Sequence, residues 1–257
     1  AMEMLSESPI LDISQDRSFP LVTPVNGLEA DDIEAEIDEK LRQGFSTFKV
    51  KVGKDVNADL RRISWIQKQV GTRAALRVDA NRGYDREQGI HFASSLDPTS
   101  IELFEQPCAA EDWVANAAVA RASTVPLMLD EPICSIEDIE RAATIEGVGY
   151  CKLKLKRFGS IAGLHKALTR VSELGMEPVL GDGLGSELTA WMEACVAQTT
   201  VHNAGEFNGF LKPRERLFSN PLRFEDGELI LPQGYKPQIN SQLLQHLTQE
   251  DVVITTS

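Results

Sequence analysis

Three apolar runs in this chain each end in a carboxylate that is followed at once by a chain break. Leu76-Arg77-Val78-Asp79-Ala80-Asn81 precedes Arg82-Gly83, Ile101-Glu102-Leu103-Phe104-Glu105 precedes Gln106-Pro107, and Pro126-Leu127-Met128-Leu129-Asp130 precedes Glu131-Pro132. A strand sends alternate side chains to opposite faces, so Asp79 and Asn81 share a side, and each acid lies where a strand becomes a loop. A single strand-end acid is often a helix N-cap or an ion-pair partner. Three in succession at one rim repel one another unless a cation lies between them. Carboxylates without His or Cys suit a hard, oxygen-seeking ion such as Mg²⁺, with Mn²⁺ as a substitute.

The second group of chemical residues is basic. Lys49 and Lys51 sit two apart in the run from Phe45 to Val52, so both face the same way, with Lys51 nearer the end that carries the acids, while Phe48, Val50 and Val52 face the other way. Lys152-Leu153-Lys154-Leu155-Lys156 repeats the alternation. Buried lysines are scarce, and at least one of these three must enter the site. His202 and Glu206 are further candidates near the last apolar run, each with an ordinary structural role as the alternative.

The elements that would position these groups follow a regular βα period. Strands are expected at about 19–25, 45–52, 75–81, 101–105, 126–130, 150–155 and 177–181, with a last short run near 204–210. Helices are expected at 31–43, 57–70, 85–96, 111–122, 135–145, 160–174 and 186–199. Eight strand signals in a chain of 257 residues close most economically into an α/β fold of the TIM-type (β/α)8 barrel. In that ring the second and sixth strands lie opposite each other, which places two amines across a pocket floored by the carboxylates. A doubly wound open sheet would show a glycine fingerprint after its first strand, and Val25-Asn26-Gly27-Leu28 is not one. Residues 1–18 read as an irregular leader, 19–212 as the barrel, and 213–257 as a hairpin and tail outside it.

Composition narrows the function. Apolar residues make up 42% and charged residues 25%, values of an ordinary globular chain. No apolar run approaches the roughly 20 residues of a membrane helix. The net charge of −13 disfavours a nucleic-acid partner. Cys108, Cys134, Cys151 and Cys195 form no C-x-x-C pair, as expected of reduced thiols in a cytoplasmic protein.

The K-x-K of Lys49 and Lys51, the D-A-N of Asp79 to Asn81, the E-Q-P of Glu105 to Pro107 and the D-E of Asp130 and Glu131, taken in order, resemble the barrel domain of the enolase superfamily. The likeness is greatest to its muconate lactonizing subgroup. The resemblance implies Mg²⁺ held by Asp79, Glu105 and Asp130, and abstraction of the proton next to the carboxylate of a small acid through an enediolate, an arrangement known for this superfamily. It implies Lys51 and Lys154 as the acid/base pair, with Lys154 chosen because the family lysine precedes a glycine by five residues, here Gly159. It assigns Lys49 a supporting charge, and Asn81, Glu131, Asp182 and Glu206 places around ligands or substrate. The reactions it covers are those of cycloisomerases, racemases or epimerases, and dehydratases, acid-sugar dehydratases included. Val179 to Gly183 holds no His of the mandelate racemase type, and Gly205 to Phe210 holds no D-x-D of the dipeptide epimerases. A Schiff-base aldolase with Lys154 as nucleophile is the rival enzyme, and it leaves the three acids without a role.

Members of this family carry a capping domain before the barrel whose loops close over the site. Only about 18 residues precede the first strand signal, so that domain is expected to be missing. A chain without it is expected to fold and bind Mg²⁺ but to turn over poorly. Leu222, Phe224, Leu229 and Leu231 of the 221–232 hairpin are then expected to lack their partner, leaving the segment mobile or covered by a second copy of the chain.

Overall fold

The computed structural model describes Met4 and residues 8–27, 29–213 and 215–248. A 3-10 turn at Pro9–Leu11 leads into β1 (Arg17–Pro20) and β2 (Thr23–Val25), and βα units follow. They are α1 (Ala30–Arg42) with β3 (Thr47–Lys51), α2 (Val56–Val70) with β4 (Ala75–Asp79), and α3 (Arg86–Ser95) with β5 (Ile101–Glu105). Next come α4 (Trp113–Ala122), β6 (Leu127–Leu129), α5 (Ile136–Ala143) and β7 (Val148–Leu153). The short α6 (Leu155–Phe158) precedes α7 (Ile161–Glu173), β8 (Glu177–Leu180) and α8 (Glu187–Ala197). The hairpin of β9 (Arg223–Glu225) and β10 (Glu228–Leu231) and a terminal α9 (Ser241–Leu247) complete the described chain.

Strands β2 to β8 form one parallel sheet in sequence order. The closed eight-stranded ring read from the sequence is corrected in one place: the run near 204–210 is no strand, and its sheet contact is an isolated bridge between Leu21 and Gly205. That segment still meets both edges of the sheet. The Glu206 amide donates to Leu180 at the end of β8 (2.8 Å), while Gly205 donates to Pro20 (2.9 Å) and accepts from Val22 (2.9 Å) beside β2.

Side-chain caps start most of the helices. Asp55, Asp85, Asp112, Ser135, Ser160 and Ser186 each accept a hydrogen bond from the amide three residues on. The capping role open to Asp79, Glu105 and Asp130 is therefore filled by other residues. Outward faces of the strands, such as Phe48, Val50, Leu76, Val78 and Phe104, are buried under the helices.

The hairpin differs from expectation. Arg17 to Pro20 pair antiparallel with Leu231 to Glu228, giving a three-stranded sheet in the order β1-β10-β9 drawn from both ends of the described chain. Arg17 and Ser18 thus belong to a strand and not to an irregular leader, and Ile13 before them is buried. Of the leader and tail, residues 1–3, 5–7, 214 and 249–257 lie outside the described residues. Leu229 and Leu231 are 0% exposed and Leu222 is buried, all within this one chain. Phe224 stacks on Phe45 at a centroid distance of 5.2 Å. The sheet sits at the amino-terminal ends of the parallel strands: Leu21 donates to Gly227 (2.9 Å), and the Asp226 backbone lies so close to Gly44, before β3, that a Cβ there would collide with it. Gly44 also has φ +86°, which only glycine adopts freely. Among the described residues no helix is long and apolar enough to cross a membrane.

Truncating Leu229 to Ala is expected to cost about 2–5 kcal/mol, the range for a fully buried leucine, in urea unfolding. A loss below about 0.5 kcal/mol, the scatter of surface changes, would show that the small sheet is not part of the cooperative core.

A second expectation concerns Glu193 of α8, which is buried, accepts from the Leu155 amide at 3.3 Å and leaves its Oε2 without a partner. Burial pushes its carboxyl up to about 8, with the charge of Asp182 adding to the effect against the Leu155 hydrogen bond. The folded state keeps a proton that the unfolded chain releases near 4.5, so between those values the folded state binds more protons and stability falls as pH rises. Glu193→Gln should flatten that slope, which for one group reaches at most about 1.4 kcal/mol per pH unit. Urea midpoints at about pH 5.5 and about pH 7.5 provide the comparison. Equal pH dependence in the two proteins would contradict the assignment.

Candidate active site

Register brings the chemistry into one row. Lys51 of β3 pairs with Asp79 of β4, Asp79 with Glu105 of β5, and Glu105 with Met128 of β6, two residues before Asp130. All lie at the carboxyl-terminal ends of the strands, the face on which such α/β folds hold ligands. The backbone turns sharply just past these ends, with positive φ at Asn81 (45°), Arg82 (66°) and Gln106 (36°). These non-glycine residues are held there by local bonds. Asp79 Oδ1 accepts from the Asn81 amide at 2.8 Å, and the Gln106 side chain accepts from the Asp130 amide at 2.9 Å and donates to Cys108 at 3.0 Å.

Lys49 and Lys152 form the floor with Glu206. Lys49 Nζ lies 2.9 Å from Asp79, 2.6 Å from Glu105 and 2.9 Å from Glu206. Lys152, only 3% exposed, reaches Glu105 at 3.2 Å and hydrogen-bonds Glu206. Above them, Lys51 bonds Asp79 and Asn81 on the β3 side. Lys154, the first residue past β7, bonds Asp130 at 2.8 Å on the other. These groups line a cavity of about 370 Å³.

Burial and charge compete here. Burial opposes the charge of Lys49, but Glu105, Glu206 and Asp79 outweigh it and hold the ammonium well above its ordinary value. Burial also works against the ionised forms of Asp79, Asp130 and Glu206, and again loses. Lys49 and Lys51 hold Asp79 down, Lys152 and Lys154 hold Asp130 down, and Lys152 and Lys49 hold Glu206 far below the usual carboxylate range. For Glu105 burial prevails over Lys152 and Lys49 and, with Asp79 and Glu206 as like charges, pushes the carboxyl up to about 7.

Asp79, Glu105 and Asp130 thus come together as an all-oxygen donor set, although among the described residues no three His, Cys, Asp or Glu side chains stand ready-made as a metal cage. Lysines intervene. Two buried oxygens of the set, Glu105 Oε2 and Asp130 Oδ1, are held by the charges of Lys49 at 2.6 Å and Arg157 at 2.8 Å. A buried set of carboxylate oxygens with no nitrogen or sulfur donor among it fits a hard divalent cation.

Of the other expected residues, Asp182 lines the cavity and is paired with Lys156, whose side chain is largely exposed. Glu131 pairs with Arg82 at 3.3 Å at the rim, and His202 is exposed and outside the cavity. Two features were not singled out from the sequence. Lys152 shares the inward face with Lys154, as the period-two alternation allows, and Arg157 clamps Asp130 by its side chain and backbone carbonyl from within α6. Only the Arg157 position, three residues past Lys154 in a turn no periodicity announces, carries no sequence signal.

The family described as Enolase C-terminal domain-like matches residues 32–236. The L-Ala-D/L-Glu epimerase of Bacillus subtilis is 30% identical over 207 residues, 79% of this chain and 56% of that protein. The N-succinyl-L-Arg/Lys racemase of Bacillus cereus is 28% identical over 238 residues, 91% of this chain and 64% of that protein. This chain therefore spans somewhat over half the length of these relatives. Muconate cycloisomerase from Pseudomonas fluorescens shares the fold, with a TM-score of 0.83 at 22% identity over 91% of this chain and 66% of that one. The strand-end acids, the paired lysines and a family match over most of the length together show that this chain belongs to the enolase superfamily, in its muconate lactonizing enzyme and mandelate racemase group.

Proposed function

We propose that this chain is the barrel part of an enzyme that removes the proton next to the carboxylate of a small acid, with Lys51 and Lys154 as the acid/base pair. One observation carries the reading: the two amines stand on β3 and just past β7, four positions apart in the sheet, and the carboxylates of β4, β5 and β6 lie between them in one cavity.

Asp79, Glu105 and Asp130 would hold Mg²⁺, which when bound supplies the positive charge that offsets the substrate carboxylate and the second negative charge that develops as the proton leaves. Lys51 takes or returns a proton on one face of the substrate and Lys154 acts on the other. Asn81 fixes the direction of Lys51 through its side-chain oxygen. Lys49 and Lys152, locked among several carboxylates, contribute fixed charge and move no proton. Return of the proton by the opposite lysine inverts the centre, while loss or capture of a neighbouring group gives elimination or ring formation. The epimerase, racemase and cycloisomerase among the relatives support this range. A Schiff-base reading leaves the donor set idle.

The test is exchange of α-protons with deuterium in a panel of small carboxylates with Mg²⁺. Lys51→Ala and Lys154→Ala should each lower exchange by about 100-fold or more, the scale of a lost general acid or base, with Mg²⁺ affinity unchanged. Lys156→Ala should change little. Asp130→Asn should weaken Mg²⁺ binding, measured by calorimetry, by at least the ~10–100-fold that even a supporting partner of a metal site contributes. Exchange that survives chelation, or borohydride trapping of a carbonyl substrate on Lys154, would overturn the reading.

A further inference from the structure

From Ala190 to Ala197 every residue of α8 is buried, and all but one are apolar. The exception is Glu193, 1% exposed, an acid that the proposed reaction does not use. Glu187, the other buried acid of this helix, has a plain structural role. Its two oxygens accept from the Leu222 amide at 2.8 Å and the Phe218 amide at 3.1 Å, tying the segment before the hairpin to α8. Glu193 instead reaches toward the chemical end of the strands and accepts from the Leu155 amide at 3.3 Å. A carboxyl buried in an apolar helix face is costly, so what it holds has to matter.

Leu155 opens α6, the single turn that follows β7, and the residue before it is Lys154. The first amides of a helical turn have no partner inside it, and the side chain of the preceding residue commonly takes one of them. Helices α2, α3, α4, α5, α7 and α8 use their own cap residues in this way. Lys154 makes no such bond: an ammonium only donates, and its side chain is turned to Asp130 at 2.8 Å. Glu193 supplies the missing acceptor from α8. The same turn carries Arg157, which holds Asp130 at 2.8 Å, so one contact steadies the backbone from which two side chains reach that acid.

We infer that Glu193 is a positioning residue for Lys154: by holding the Leu155 amide it sets the direction in which the Lys154 amine enters the cavity. The two rim lysines differ in this need. Lys51 lies within β3 and is held by its pairing with Asp79 of β4. Lys154 lies beyond the ladder, because the pairing of β7 with β8 ends at Leu153 and Leu180. Its backbone therefore depends on a contact from outside the sheet. The relevance to turnover rests on the proposed role of Lys154 in moving a proton.

The experiment is trace acetylation of the full chain with acetic anhydride near neutral pH, followed by peptide mass spectrometry, which reads each lysine separately. Burial pushes the Glu193 carboxyl up to about 8, so under these conditions it is mostly an uncharged acceptor that Glu193→Gln reproduces. Glu193→Met keeps the shape and removes the acceptor. An amine released from Asp130 loses the partner that stabilises its proton. In Glu193→Met, Lys154 should therefore acetylate about threefold or more faster relative to Lys51, the scale of one lost hydrogen bond, with the wild-type ratio kept in Glu193→Gln. Glu193→Asp, which keeps the acid but draws it back from Leu155, should behave as Glu193→Met does and serves in its place if that variant does not fold. A ratio unchanged in both, or changed as much by Glu193→Gln, would overturn the inference and leave the acid/base reading standing. α-Proton exchange separates the two: if Lys154 responds to Glu193 as expected but exchange survives Lys154→Ala, Glu193 still directs Lys154 and the acid/base assignment fails.

Discussion

Asp79, Glu105, Asp130 and Glu206 converge within one strand mouth where little water reaches them, and in such a setting like charges are tolerated only with cations between them. Lys49 and Lys152 meet that requirement by standing between carboxylates, each touching acids from more than one element. The requirement reaches into the fold. Glu206 is carried by the segment whose amides join the two edges of the parallel sheet, so the link between those edges and the charge balance depend on the same few residues. Breaking either would leave buried charges uncompensated, which costs far more than a lost surface ion pair.

The barrel interior is layered accordingly. Above the floor lies the cavity. Below it Leu103, Met128 and Val179 form a small apolar layer with Tyr150 against it. Further toward the amino-terminal end Arg77, fully buried, is held by Glu102 at 2.8 and 2.9 Å and by the Ala204 carbonyl at 2.7 Å. The three-stranded sheet then covers that end, with Phe19 edge-on to Phe207 at 5.9 Å. Stability and chemistry are thus assigned to opposite ends of the strands, as in other βα folds. Leu184 and Lys212 lie in loops at the chemical end.

Much of this was legible in the sequence because it is periodic. The βα alternation, the acids Asp79, Glu105 and Asp130 at strand ends, and the inward pair Lys49 and Lys51 all follow from a spacing of two along a strand. What escaped was non-local or aperiodic. The pairing of Arg17 with Leu231 joins distant parts of the chain, and no local pattern distinguishes a hairpin that covers its own barrel from one that needs a partner. The run near 204–210 makes one bridge, from Gly205 to Leu21, where an apolar run had suggested an eighth strand. Arg157 reaches Asp130 from a single turn of helix whose direction is set by Gly159, in the left-handed region at φ 70°.

The four central lysines are chemically identical, and only their surroundings divide them. Lys49 contacts Asp79, Glu105 and Glu206 and is nearly enclosed, so moving it would strip several buried carboxylates at once. Lys152 is bound in the same way. Lys51 and Lys154 each touch one carboxylate, Asp79 or Asp130, and their side chains are 53% and 15% exposed. A long, flexible amine with one charged partner can leave it, because Asp79 keeps Lys49 at 2.9 Å and Asp130 keeps Arg157 at 2.8 Å. One with three buried partners cannot. Mobility toward a ligand is therefore confined to the two rim lysines, and it is the floor's excess of contacts, more than any property of the rim itself, that makes the division.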